Sequence, residues 1–245
     1  MRKLSLLLLA ICIAVVASSQ VTVNVTNPTN TTPNLAASYP SLALALTDLN
    51  AVTAMSGPVT LTCVTGSETA PTAAGFTIGS ATLNPVLSAT NTVTINTSGG
   101  AVTLNAAAGG TGTPSSAVQD GILKIVGADY ITIDGLTLVD GNAANPATME
   151  FGIGLFKLSL SDGAQNNTIQ NCTITLNRIN NATGSGPSVE GSRGINVVNA
   201  TDAAQVTSLT PTTAAGTNSN NKFYSNTIQN CNYGIVLNGF AATPP

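Results

Sequence analysis

Histidine and tryptophan are absent from this chain of 245 residues, and charge of either sign is scarce. Lys and Arg number 7 and Asp and Glu 10, so 7% of residues are charged, against roughly 25% in an ordinary globular domain. Each absence excludes a chemistry. Without His there is no Ser-His-Asp triad, no His-ligated zinc and no His general base among these residues. With so few cations, no nucleic-acid partner is expected, because phosphate neutralisation needs a basic surface. The four Cys form no Cys-x-x-Cys pair, so a structural zinc site has no support, and no resident cofactor is expected. A coiled coil would be rich in Ala, Glu, Lys, Leu and Arg, which does not describe this chain.

What is present is apolar and neutral-polar. Hydrophobic residues make up 43% of the chain, beside 36 Thr and 26 Asn. That apolar share excludes disorder driven by high charge and low hydrophobicity, and the length suffices for a sizeable core.

The first segment reads as an address. Met1-Arg2-Lys3 is a short basic start, Leu4 to Ala17 an apolar run broken by Ser5, and Ala17-Ser18-Ser19 a small-residue cleavage site. This is the pattern of a secretory signal peptide. The run is too short to span a bilayer comfortably, and no later segment approaches that length, so no membrane span is expected. Ile11 before Cys12 stands where a lipoprotein needs a small residue. Removing Arg2 and Lys3 leaves 5 basic and 10 acidic residues, a formal charge near −5. Of the remaining Cys63, Cys172 and Cys231, an odd set, the expected role is buried small apolar side chain.

The sequence predicts four segments: a signal peptide over 1–19, an extended linker over 20–40, a helix over 41–57 and strands over 58–245. Residues 21–36 (VTVNVTNPTNTTPNLA) fit an extended linker or a first strand. Ser41 to Ala54 is the helical candidate, with Ser41 as N-cap, apolar residues near helical spacing and Gly57-Pro58 as its stop. After Pro58, short alternating runs such as Val59-Thr-Leu-Thr-Cys63 read as strands.

The later chain repeats itself. A Gly-Ile pair opens an apolar strand at Gly121-Ile122, Gly152-Ile153, Gly194-Ile195 and Gly234-Ile235. Between copies lies a second strand type, at 132–138 (TIDGLTL), 168–174 (TIQNCTI) and 222–228 (KFYSNTI). This alignment puts Ile133, Ile169 and Phe223 in one column, Leu138, Ile174 and Ile228 in another, and Thr137, Thr173 and Thr227 beside the second. A rival register matching NTIQNC at 167–172 with 226–231 is rejected, because it breaks the order of the Gly-Ile strands. The Gly-Ile copies lie 31, 42 and 40 residues apart. A short repeating unit with loop insertions at 139–150, 177–193 and 199–221 explains the variation. The predicted fold is all-β: a parallel β-solenoid with inward apolar columns and a short N-terminal capping helix. Left-handed turns are expected at Asp134-Gly135 and Gln170-Asn171. Low charge fits, since stacked like charges would lie about 4.8 Å apart.

The pattern Gly-Ile-x-Val/Leu, a loop, then x-Ile-x-Asn-x-x-Ile resembles the right-handed parallel β-helix repeats of the pectin-lyase-like superfamily over about residues 58–240. The order of signal peptide, helix, PVTLTCV strand and TIDGLTL repeat also resembles large secreted surface proteins of Bacteroidota-type bacteria, which often carry a C-terminal sorting domain for type IX secretion. Because the residues stop after a repeat strand with no polar cap, the chain is read as the N-terminal part of a longer protein.

The superfamily resemblance implies enzymes on acidic polysaccharides, either lyases using an Asp-bound calcium with an Arg or Lys base, or hydrolases with clustered Asp. The His-containing hydrolase motif is absent. Candidate catalytic residues on that reading are Asp134, Asp140, Glu150, Asp162, Arg178 and Arg193, with Lys157 and Lys222 as further bases. Two carboxylates on neighbouring repeats would hold calcium or act as a glycosidase pair. The alternative is turn chemistry, since Asp-Gly recurs at 134–135, 140–141 and 162–163. Arg178 and Arg193 bracket a loop containing Glu190, and would bind a uronate or brace that loop. The expected function is a secreted or cell-surface, non-catalytic stalk, adhesin or glycan-binding platform, with a polysaccharide or cell-surface glycan as partner. The alternative is a polysaccharide lyase or glycoside hydrolase.

Overall fold

The computed structural model describes residues 20–107, 120–141, 151–177, 192–202 and 209–239. The signal segment, Glu150, Arg178 and Glu190 lie outside them. Chain order begins with β1 (Val23–Thr26), β2 (Thr31–Thr32), β3 (Ser38–Tyr39), α1 (Leu42–Asn50) and β4 (Ala54–Met55). Then strands come in threes: β5 (Val59–Cys63), β6 (Gly66–Thr69) and β7 (Phe76–Ile78); β8 (Val93–Thr97), β9 (Val102–Asn105) and β10 (Gly121–Val126). Next are β11 (Ile131–Asp134), β12 (Thr137–Val139) and β13 (Phe151–Lys157), then β14 (Thr168–Gln170), β15 (Thr173–Thr175) and β16 (Arg193–Thr201). The last three are β17 (Lys222–Tyr224), β18 (Thr227–Gln229) and β19 (Tyr233–Leu237).

The chain is predominantly β, with parallel sheets and, among the described residues, one α-helix. From β5 on, three parallel sheets each take every third strand. Sheet one runs β5-β8-β11-β14-β17, sheet two β6-β9-β12-β15-β18 and sheet three β7-β10-β13-β16-β19. Each group of three strands is called a rung below. Neighbouring rungs pair in parallel throughout.

The apolar columns follow from this register. Ile133, Ile169 and Phe223 align, as do Leu138, Ile174 and Ile228, with Thr137, Thr173 and Thr227 alongside. The two NTIQNC copies fall in different sheets, as their rejection required. Two expectations need correction. The second strand type is two strands, bent where Gly135, Asn171 and Ser225 adopt φ of 78°, 56° and 56°. These residues share a column, so one left-handed bend recurs in three rungs. And Gly121-Ile122 is not the counterpart of Gly152-Ile153: Leu123, not Ile122, pairs with Ile153. Every residue of β10 is buried, so alternation could not fix that register.

At Gly152 and Gly194 the Gly of the repeat is required for space. A Cβ on Gly152 would lie 2.5 Å from Ile174 Cγ2 and 2.8 Å from the Gly194 carbonyl oxygen. Gly194 is crowded the same way by Ile228 and the Gly234 carbonyl. Only Gly lets sheet three turn this close to the inward column of sheet two.

Asn supplies braces between rungs. Asn167 accepts from Ile131 N at 2.8 Å and donates to Ala128 O at 3.0 Å. Asn221 repeats this one rung on, accepting from Asn167 N and donating to Ala164 O, each at 2.9 Å. Asn226 holds Cys172 N and Ile169 O, at 3.0 and 2.8 Å. These bonds tie backbone groups at or beside the corners to an Asn of the next rung.

The N-terminal end is built separately. The segment 20–40 is not a linker: β1 pairs antiparallel with β5, Val23 against Cys63 and Val25 against Leu61, and with β3 on its other side. Ser41 Oγ accepts from Leu44 N at 3.2 Å, the expected N-cap, and α1 buries Leu42, Ala45, Leu46 and Leu49. The helix stops at Asn50, well before Gly57. There, the Asn50 carbonyl accepts from Ser80 Oγ and Thr82 Oγ1, at 2.6 and 2.7 Å, while residues 54–55 pair with 31–32. Tertiary partners end the helix before the Gly-Pro signal is reached.

The insertions are shorter than expected, since β16 takes in Arg193 and Asn199–Thr201. Residues 142–150, 178–191 and 203–208 lie outside the described residues.

Candidate functional site

The described candidate residues other than the lysines lie at the corners of the rungs. Asp134 ends β11, at the bend between sheets one and two. Its two carboxylate oxygens accept from Gln170 Nε2 and Asn171 Nδ2 of the next rung, both at 2.7 Å. Asp140 follows β12 and Arg193 opens β16, both at the corner between sheets two and three. They are 8% and 4% exposed, too enclosed to meet a polymer. Asp162 lies between β13 and β14, at the corner between sheets three and one, and accepts from Asn84 Nδ2 at 3.0 Å. The described candidates are thus spread over three corners. Glu150 and Arg178 lie outside the described residues.

The corner between sheets three and one carries a residue that sequence reasoning left out of the candidates. Asp129 accepts from Gln165 N at 2.7 Å. Burial pushes its carboxyl up to about 6; the Gln165 bond opposes this, and the Asp162 charge adds to it. Burial also raises Asp162, against the bond from Asn84. Two raised carboxyls from neighbouring rungs form a perturbed pair of the kind that marks functional sites, although braces perturb pKa as well. Asp129 follows no Asp-Gly signal and precedes Tyr130, so turn chemistry did not draw attention to it.

The candidate bases are divided. Lys157 is 0% exposed; Lys124, which is not among the candidates, is 1% exposed. The Lys157 ammonium donates to the Gly216 carbonyl, and burial lowers its pKa. Lys124 pairs with Asp202 at 3.2 Å. Lys222 is exposed on β17. Cys63 and Cys172 are buried and free, with burial pushing their thiols up to about 12 and about 11, so they behave as apolar side chains. Cys231 is free and partly exposed. No group of three or more His, Cys, Asp or Glu able to hold a metal ion occurs among the described residues. Nor is any of their helices long and apolar enough to cross a membrane.

A cavity of about 830 Å³ opens beside the last two rungs. Val197, Phe223 and Leu237 are its large apolar lining residues, and all three continue inward columns of the stack. Its walls are Thr, Ser, Asn, Pro and Ala of the 210–221 segment, with Asn199 and Asn238. No Asp, Glu, Lys or Arg lines it. Three of its Asn are committed to the fold: Asn199 to Leu209 O, Asn218 to Val198 O and Asn221 to Ala164 O, at 2.8, 2.8 and 2.9 Å. Sequence reading placed this segment in an insertion and gave it no role.

Comparison of the chain with models of known protein families, with curated proteins and with solved structures finds no match.

Proposed function

We propose that the chain forms a right-handed parallel β-helix of the pectin-lyase-like kind in a secreted, surface-associated bacterial protein. Its role is that of a non-catalytic stalk, adhesin or glycan-binding platform. The rotation of successive strands through three parallel sheets supports the helical reading. The basic, apolar and small-residue order of 1–19 supports secretion. The observation that carries the absence of catalysis is the dispersal of the carboxylates: Asp134 and Asp162 sit at different corners, each bonded to a side chain from another rung. A hydrolase or lyase needs such groups convergent on one substrate.

The Asp129–Asp162 pair favours a second reading, a polysaccharide-cleaving enzyme acting at the corner between sheets three and one. One experiment separates the two. The purified protein is assayed for reducing ends and unsaturated products on plant and bacterial polysaccharides, with and without calcium, alongside pull-down on the same insoluble polymers. Binding without turnover is expected. Turnover that disappears in Asp129→Asn or Asp162→Asn would replace the platform with an enzyme.

A further inference from the structure

We draw no further inference here: the strongest candidate, the column of outward hydroxyl side chains on sheet two (Ser67, Thr103, Thr137, Thr173 and Thr227), is a stripe of small residues, and nothing in the structure shows what covers it.

Discussion

The first and last described rungs are built from the same columns and differ in how far their side chains are covered. Ile78 in β7 and Leu237 in β19 belong to one column, linked through Ile125, Leu155 and Val197. Ile78 is 0% exposed and Leu237 67%. The first rung is closed by parts outside the repeat. β1 takes the free edge of β5, and α1 packs on β7. Asn50 donates to Thr77 O at 2.9 Å and accepts from Gly79 N at 2.8 Å, pairing the edge of β7. In sheet two the inward column begins with Glu68, opposite Leu104. Its carboxylate accepts from Leu42 N and Ala43 N, at 2.7 and 2.9 Å, so it receives the positive end of α1. In the last rung, Ile235 and Leu237 stand exposed on the same stack. A column position has no fixed energetic value; its worth depends on whether something lies on both sides of it.

That statement is easiest to break at the buried end. Ile78→Ala removes a fully enclosed side chain beneath α1. The expected cost is about 2–5 kcal/mol, the range for such truncations, read as a lowered urea midpoint with unchanged slope. A loss below about 1 kcal/mol would show that the cap leaves the first rung loose. Glu68→Leu sharpens the point, because Leu suits the column and fails the helix. Two N–H groups of α1 lose their acceptor beside a residue 4% exposed. A loss of about 1–3 kcal/mol is expected from unsatisfied buried donors. A neutral result would mean that the helix N-terminus finds water instead.

The corner at Asp129 gives a smaller effect with a sign of its own. Its folded pKa, about 6, lies above the ordinary value of 3.8. A raised carboxyl contributes stability below about pH 4, and loses it as pH rises through 6. Asp129→Asn should therefore gain stability relative to the parent between pH 4 and pH 7. Water screens this half-buried group, so the gain should stay below about 1 kcal/mol. Thermal melts across that range check it, and a variant that falls behind the parent as pH rises would contradict it.

Much of the stack was legible because its signal is redundant. The segments at 132–138, 168–174 and 222–228 align as three copies, and each fixes the others. Where redundancy fails, so does the reading. GILKIV is apolar or enclosed at every position, and its register slipped by one. The N-terminal cap has no copy of itself: residues 21–36 fitted a linker or a first strand alike, because antiparallel pairing of β1 with β5 across 34 to 40 residues leaves no local mark. The site was less legible still. Asp-Gly steps drew attention to Asp134 and Asp140, which the fold uses at bends and corners. Asp129, whose pKa is moved by its neighbours, becomes visible only when Asp162 and Gln165 arrive from the next rung. The cavity likewise depends on residues some 40 positions apart in sequence, Val197 and Leu237 among them, meeting across adjacent strands.

The smallest effect belongs to the last described rung. Leu237→Ala removes as many methyl groups as a core truncation does, from the same column as Ile78. At 67% exposure most of that side chain already faces water in the folded state, so unfolding changes its surroundings little. No cavity forms, because nothing encloses the space it leaves. The expected change is within about 0.5 kcal/mol, the scale of surface substitutions, against several times that at Ile78. A loss at Leu237 as large as that at Ile78 would mean that the last rung is covered in solution. The contrast between the two ends would then be one of partners rather than of construction.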